Sequence, residues 1–184
     1  MPPEVVKTLR DLIYWQYSKL MSVSAGYGKK DYSFIMDRYK KLQDGEIPWS
    51  SSIVDYLRGM EHENECIYCG NKTSIDVDQL IPQNRGGLDA GDNAILACEN
   101  CGAAKRDMGV YEWYTVKGNE SPPAPVEGRY LKLLFELHES KGTLDVGMDS
   151  LAQLCDICEV GYLCTETRLT VFCLESILKT KPGK

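Results

Sequence analysis

Apolar residues recur at helical spacing in the N-terminal third of the chain. In residues 4–21 they fall three or four positions apart with charged residues between them, at Val5, Leu9, Leu12, Ile13, Leu20 and Met21. This spacing predicts an amphipathic helix. A second helix is predicted over residues 32–42, ended by Asp44 and Gly45, and a third should begin in the serine run 50–52, where a serine would cap it. The many aromatic side chains of this region favour core packing over base stacking.

The pattern changes after residue 60. Residues 61–116 contain short β-like runs, glycines and paired cysteines, and residues 117–128 are rich in proline and small polar residues, which predicts a linker. Helical spacing returns in residues 129–184, with helices predicted over 130–138 and 170–178. The sequence therefore predicts an α+β protein in which a helical N-terminal segment, 1–60, and a helical C-terminal segment flank a small central module.

The bulk composition is that of an ordinary globular protein. The chain has 184 residues, of which 43% are hydrophobic. No apolar run approaches the ~20 residues that a membrane span needs, and the first residues lack the basic and apolar regions of a signal peptide. We therefore expect a soluble, cytoplasmic protein without a membrane partner.

The net charge of −6 argues against a protein that coats nucleic acid without specificity, because such binding depends on lysine and arginine displacing counterions from phosphates. Any contact with nucleic acid has to be local. One basic group lies near the N-terminus and another around the central cysteines: Lys29, Lys30, Arg38, Lys40 and Lys41 in the first, and Arg85, Lys105 and Arg106 in the second. Both groups also fit solvated faces of helices and turns.

The central cysteines have the spacing of zinc ligands. Cys66 and Cys69 form one C-x2-C pair, and Cys98 and Cys101 form another after 28 intervening residues. Each pair can aim two thiolates at one point, and two pairs complete a tetrahedral shell with no open position. The sequence therefore predicts one structural zinc ion, in preference to disulfides or a redox-active pair.

Between and after these pairs lies a further ordered set of residues: Asp78, Ile81-Pro82, Gly86-Gly87, Asn93 and Lys105. With the cysteines, over about 45 of the 184 residues, this set resembles the HNH endonuclease family in its zinc-stapled form. The resemblance implies a ββα module in which a divalent ion, Mg²⁺ or a similar hard ion, binds between the first strand and the helix. It also implies metal-dependent hydrolysis of DNA phosphodiester bonds, with DNA favoured over RNA.

The resemblance assigns roles to individual residues. Asp78 would bind the divalent ion, a histidine directly after it would be the general base, and Asn93 would orient the loop and the strand. Two positions depart from the family pattern. Gln79 stands where the histidine belongs and has no titratable proton acceptor near neutral pH, and Gly102 stands where a second metal ligand is usual.

Three hypotheses follow from these departures. The module still cleaves DNA with a substitute base, for which His62 and Asp76 are candidates. Alternatively it only binds nucleic acid, with Arg85, Lys105 and Arg106 contacting phosphates. In the third hypothesis it is a protein–protein adaptor on a former nuclease fold, which the acidic charge favours. His62 and Asp76 also fit solvated surface residues.

A second cysteine series lies in the C-terminal segment, with the spacing C-x2-C-x5-C-x8-C: Cys155, Cys158, Cys164 and Cys173. A second zinc site, an iron–sulfur cluster and buried core thiols all fit this spacing. By the same family resemblance, compact site-specific nucleases have flanking parts that supply dimer contacts. A homodimer on a palindromic site is therefore a further hypothesis.

Overall fold

A computed structural model describes residues 2–58, 64–89, 91–118, 121–156, 158–164 and 168–176 of the chain. In chain order its regular elements are the helices and strands α1 (Leu9–Ser24), α2 (Tyr32–Gln43), α3 (Trp49–Arg58), β1 (Ile75–Gln79), β2 (Ala94–Cys98), α4 (Glu99–Lys105), α5 (Val110–Gly118), α6 (Ala124–Ser140), α7 (Leu151–Asp156) and α8 (Cys173–Ser176). Single 3-10 turns lie at Gln83–Arg85, Met148–Ser150 and Gly161–Leu163. The α+β prediction is confirmed. Within these ranges no helix is long and apolar enough to span a membrane.

A side-chain cap sets the start of the first helix. The Thr8 hydroxyl accepts the Asp11 N–H at 3.1 Å and the Asp11 carboxylate accepts the Thr8 N–H at 3.1 Å, a reciprocal capping box. Helix α1 therefore begins at Leu9 and not at the predicted residue 4. Helix α2 agrees with its prediction. Helix α3 begins at Trp49, so the serines lie inside its first turn and the predicted serine cap is wrong.

The core lies between the N-terminal helices and α6, because α1 packs against α2 and α6, and α3 packs against α6. Its centre is aromatic: the Trp49 ring lies 4.9 Å from Phe135 and 5.3 Å from Tyr17. Tyr14, Trp15, Tyr17 and Tyr39 are buried, as core packing predicts, whereas Tyr27 and Tyr32 are each 58% exposed.

The two strands form one antiparallel hairpin, with Ile75 opposite Cys98 and Gln79 opposite Ala94. Helix α4 follows β2 without a break and packs on both strands. The hairpin therefore places the end of β1, where Asp78 and Gln79 lie, beside the start of β2 and next to the end of α4.

Helix α5 was not predicted, because most of it lies in the segment 61–116, whose short apolar runs look β-like. Its buried residues are Val110, Tyr111, Trp113 and Tyr114. Helix α6 begins at Ala124, inside the stretch 117–128 that was predicted to be a linker. Pro123 precedes the helix and Pro125 lies in its first turn, where the missing N–H of proline has no helical partner to lose.

Helix α8 packs back on the centre of the molecule. The buried Glu175 carboxylate of α8 accepts the N–H groups of Tyr111 and Glu112 at 2.8 and 3.0 Å and the Tyr130 hydroxyl at 2.8 Å. These N–H groups lie in the first turn of α5 and have no partner within it, so α8 caps α5. The final helix, predicted over 170–178, is the short α8, and residues 177 and 178 lie outside the described ranges.

Candidate metal centre and active-site cavity

The four central cysteines are held by two different local structures. Cys66 and Cys69 lie in a turn closed by the Gly70 N–H, which donates to the Cys66 carbonyl at 2.8 Å. Gly70 has a φ of +73°, a conformation that glycine adopts without a steric penalty. Cys98 ends β2, and Cys101 lies in the first turn of α4. The continuous strand-to-helix connection therefore aims the second pair at the first.

The geometry of these thiols fits a zinc ion. All four sulfurs lie within 4.8 Å of one another, and the Cys69 and Cys98 Sγ atoms are 3.7 Å apart. A tetrahedral shell with Zn–S bonds of about 2.3 Å needs sulfurs about 3.8 Å apart. The predicted pairing of the two C-x2-C motifs is therefore present, and the cluster is compatible with a structural zinc ion.

The surroundings of the cluster favour ionisation of one thiol in particular. The Cys101 N–H donates to the Cys98 sulfur and is the main reason why the pKa of Cys98 is lowered to about 7. Burial raises the pKa of the Cys101 thiol. Zinc binds thiolates, so Cys98 is the first ligand that can be ready at neutral pH, and the ion itself would supply the charge that ionises the others.

A second site lies at the end of β1. Asp78 and Gln79 line a cavity of about 630 Å³ together with Asn84, Asp89, Arg106 and Asp107. Asp78 Oδ1 accepts the Gln79 N–H at 2.8 Å, whereas Oδ2 is buried and has no hydrogen-bond partner. An orphaned buried carboxylate oxygen is costly in a folded protein, and a bound cation would satisfy it.

Asn93 organises the loop that borders this cavity. Its Oδ1 accepts the Ile81 N–H at 2.8 Å, and its Nδ2 donates to the Ile81 and Leu88 carbonyls, each at 2.9 Å. Gly87 lies against the same loop: a Cβ atom there would be 1.9 Å from the Ile81 carbonyl oxygen, so only glycine fits. The buried amide of Asn93 and the absent side chain of Gly87 together hold the loop beside the end of β1.

Comparison with known proteins agrees with this geometry. Residues 66–107 match the model of the HNH endonuclease family. This segment is an HNH module. It covers less than a quarter of the chain, and no solved structure matches the protein.

Similarity to curated proteins is limited to part of a much longer protein. Elongation factor 4 of Flavobacterium psychrophilum and of Flavobacterium johnsoniae is each 29% identical over 103 residues, and that of Christiangramia forsetii is 28% identical over 103 residues. In each case the match covers 54% of this chain and 17% of the relative. The chain thus spans about a sixth of these relatives, and the similarity assigns no function to it.

Two basic residues of the HNH module are used in the interior, which corrects the expectation that they contact phosphates. Lys105 is fully buried and donates from Nζ to the Gln79 carbonyl at 2.9 Å. Burial lowers the pKa of Lys105, while the nearby Asp78 charge acts in the opposite direction. Arg85 is 6% exposed and forms a 2.6 Å ion pair with the buried Glu112 of α5.

Arg106 differs from these two residues. It is exposed, lines the cavity beside Asp78, and directly follows α4 with a positive φ of 48°. Of the three basic residues named from the sequence, it is the one that a phosphate in the cavity can reach.

The candidates for a substitute general base differ in their position relative to the cavity. His62 lies outside the described residues. Asp76 is exposed, its Oδ1 accepts the Val77 N–H at 2.7 Å, and it is not among the residues that line the cavity. Gln79, in contrast, lines the cavity, and its Nε2 lies 3.5 Å from Asp89 Oδ1.

Sequence reasoning missed Asp89 and Asp107, which face the cavity with Asp78. The signal for Asp89 was its place in the glycine loop that returns the chain to β2, and the signal for Asp107 was its place after α4. Among the described residues, a group of three or more thiol, imidazole or carboxylate ligands within 4.8 Å of one another occurs only at the four central cysteines. Within the described residues, Asp78 therefore belongs to no such group of ligands.

Proposed function

We propose that this protein is an HNH-type endonuclease that acts on DNA by metal-dependent hydrolysis of phosphodiester bonds, at a rate lowered by Gln79. The observation that carries the proposal is the Asp78 carboxylate, with its unpartnered Oδ2, at the cavity of an HNH module. The family's acidic metal ligand is thus retained at the matching place. The basic Arg106 on the cavity wall supports a phosphodiester as the substrate.

Asp78 is the residue that would hold a divalent ion such as Mg²⁺, which supplies charge stabilisation at a phosphate when bound. Residues of the chain itself would position the phosphate, support the loop and orient the water molecule. Arg106 positions a phosphate by charge, Asn93 keeps the loop against the strand end, and the Gln79 amide can orient a water molecule but cannot remove its proton. Asp89, beside Gln79, is the carboxylate that can accept that proton in place of the missing histidine.

A second candidate function is nucleic-acid binding without cleavage. It is favoured by one specific observation: within the described ranges, Asp78 is not joined by two further carboxylate, imidazole or thiol ligands within 4.8 Å. A single carboxylate binds a hard divalent ion weakly, since such ions are held by several oxygens. In this case Arg106 and the cavity would serve only for phosphate binding.

The test uses the full chain with labelled single- and double-stranded DNA and RNA at low salt, in Mg²⁺, in Mn²⁺ and in EDTA. Wild type is compared with Asp78→Ala and Arg106→Ala, with Arg58→Ala on α3 as the matched arginine control outside the cavity. We expect metal-dependent DNA cleavage that Asp78→Ala abolishes, and weaker binding for Arg106→Ala alone.

Each outcome separates the hypotheses. Cleavage that survives Asp78→Ala unchanged rejects the metal mechanism. Binding without cleavage in either metal favours the second candidate. Failure to bind any nucleic acid rejects both and leaves the protein–protein adaptor. The homodimer hypothesis is tested on the same samples, because light scattering with and without DNA reports the mass of the complex.

A further inference from the structure

The C-terminal cysteines do not behave as ordinary core thiols. Cys173 is 7% exposed at the start of α8, but Cys155 in α7 is exposed and Cys158 and Cys164 are partly exposed. Unpaired cysteine is usually among the most buried residue types. Packing alone therefore accounts for Cys173 and leaves the other three unexplained.

The first pair of this series repeats a feature of the central cluster. The Cys158 N–H donates to the Cys155 carbonyl at 3.2 Å, which closes the C-x2-C turn. Gly161 then links this turn to the third cysteine, because its N–H donates to the Cys158 carbonyl at 3.4 Å and its carbonyl accepts the Cys164 N–H at 3.0 Å. In the central cluster the first C-x2-C pair likewise lies in a backbone turn, closed by the Gly70 N–H on the Cys66 carbonyl at 2.8 Å. Both C-x2-C pairs thus lie in hydrogen-bonded backbone turns.

Thr170 links the other two cysteines. Its Oγ1 lies 3.8 Å from the Cys164 sulfur and 3.9 Å from the Cys173 sulfur, and its N–H donates to the Cys173 sulfur at 3.4 Å. Helix α7, which carries Cys155, packs against α8, which begins with Cys173. The turn, Thr170 and the helix pair therefore place the four cysteines on neighbouring elements.

The four sulfurs lie further apart than those of the central cluster, since in the described part of the chain the 4.8 Å limit is met by the central cysteines only. Sulfurs that share one zinc ion lie about 3.8 Å apart, so a zinc ion that binds all four would bring them closer together.

We propose that Cys155, Cys158, Cys164 and Cys173 bind a second structural zinc ion, independent of the central one and of any nuclease activity. This ion would join α7 to α8 and so fix the helix that carries Glu175, the carboxylate that caps α5. A segment too small to build its own core commonly depends on such a metal. The four-thiolate shell leaves no position for a substrate, so its role is stability.

The experiment measures the metal content of the full chain purified without chelator. Wild type should contain two zinc ions per chain, and Cys155→Ser and Cys98→Ser should each contain one, while the double variant contains none. Gln153→Ala, an exposed neighbour on α7, is the matched control and should retain two. Because Cys155 is exposed, its replacement is silent if these residues are only thiols, and this keeps the test valid even where Cys173→Ser disturbs packing.

A spectroscopic readout accompanies the metal count. Zinc is replaced by Co²⁺ in Cys98→Ser, and a thiolate-to-cobalt charge-transfer band is expected that is lost when Cys155→Ser is added. One zinc ion per wild-type chain, unchanged in Cys155→Ser, overturns the proposal. Iron with visible absorption in anaerobically purified protein also overturns it, in favour of an iron–sulfur cluster.

Discussion

At the scale of single residues, one substitution in the family pattern carries most of the chemical consequence. Gln79 occupies the place of the general base, and its amide neither gains nor loses a proton near neutral pH. The rest of the strand end is intact, with Asp78 at the cavity and Asn93 bonded to the loop. A measurement of DNA cleavage by this protein would therefore show how much an HNH module depends on its general base.

Restoring the base should restore the rate. We expect Gln79→His to raise DNA cleavage by about 10²- to 10⁴-fold in Mg²⁺ or Mn²⁺, the usual contribution of general-base catalysis. Gln83→His, at an exposed position on the same cavity wall, is the control and should leave the rate unchanged. The pairing of Gln79→His with Gly102→Asn adds the second ligand, and the space around Gly102 is open to a side chain. No gain in either variant would show that the missing base does not limit the reaction.

The buried His138 predicts a pH effect on stability. Burial lowers its pKa to about 4, against an ordinary value of 6.5, and its ring nitrogens contact Thr143 Oγ1 and the Leu174 carbonyl. Between these two values the unfolded chain binds a proton that the folded chain does not. The contribution of His138 to the free energy of unfolding is therefore complete above about pH 6.5 and falls as the pH drops towards 4.

This effect is measurable in two ways. The imidazole C–H signal of His138 should titrate with a midpoint near 4 in the folded protein. Between pH 7 and pH 5 the free energy of unfolding should fall by on the order of 2 kcal/mol more in wild type than in His138→Gln. Equal pH dependence of the two proteins would contradict the assignment.

At the scale of elements, buried ionic contacts join the HNH module to its neighbours. The 3-10 turn that contains Arg85 is tied to α5 by the Glu112 pair, and α5 is capped by Glu175 of α8. Breaking one partner of a buried pair is expensive because the remaining charge stays desolvated. The pair with Glu112 explains why Arg85 of the module faces inward.

The Arg85–Glu112 pair can be tested by a double-mutant cycle. Arg85→Met should lower the free energy of unfolding by about 3–5 kcal/mol, and Arg85→Met with Glu112→Leu should lose less, since no buried charge is left alone. The exposed pair Arg58–Asp55, at 74% and 72% side-chain exposure, is the control, and its removal should have no measurable effect. Additive losses in the Arg85–Glu112 cycle would mean that the pair is not coupled.

At the scale of the whole molecule, the chain combines a helical body with a hairpin that borders the four-cysteine cluster. The body has its own aromatic core between α1, α3 and α6. The hairpin has two strands of five residues, and the cysteine cluster joins the turn of Cys66 and Cys69 to the end of β2 and the start of α4. Loss of the central zinc ion should therefore unfold one part of the molecule only.

Hydrogen exchange during chelation tests this division. Structural zinc contributes on the order of 10 kcal/mol to such small sites, so its removal should expose the amides of β1, β2 and α4. The amides of α1, α2 and α6 should stay protected, and α5 should be retained through its Glu175 cap. Readdition of Zn²⁺ should restore protection. Uniform loss of protection across all helices would show instead that the metal supports the entire fold.

The sequence by itself determined the features whose physics is local. Four cysteines at ligand spacing, a glycine pair and a following helix specify the ββα module, because metal geometry and turn conformations depend on residues near in the chain. The helices predicted around residues 32–42 and 130–138 follow from periodicity in the same way. Helix α6 begins inside the predicted linker because prolines at 123 and 125 begin a helix as readily as they end one.

Only the tertiary structure decided which charges face the cavity. Lys105 and Arg85 have the composition of a phosphate-binding patch, but their partners, the Gln79 carbonyl and Glu112, are 26 and 27 residues away in the chain. Asp89 and Asp107 reach the cavity through the same folding of the hairpin on α4. Burial and cavity position depend on contacts distant in sequence, and such contacts have no signature in local spacing.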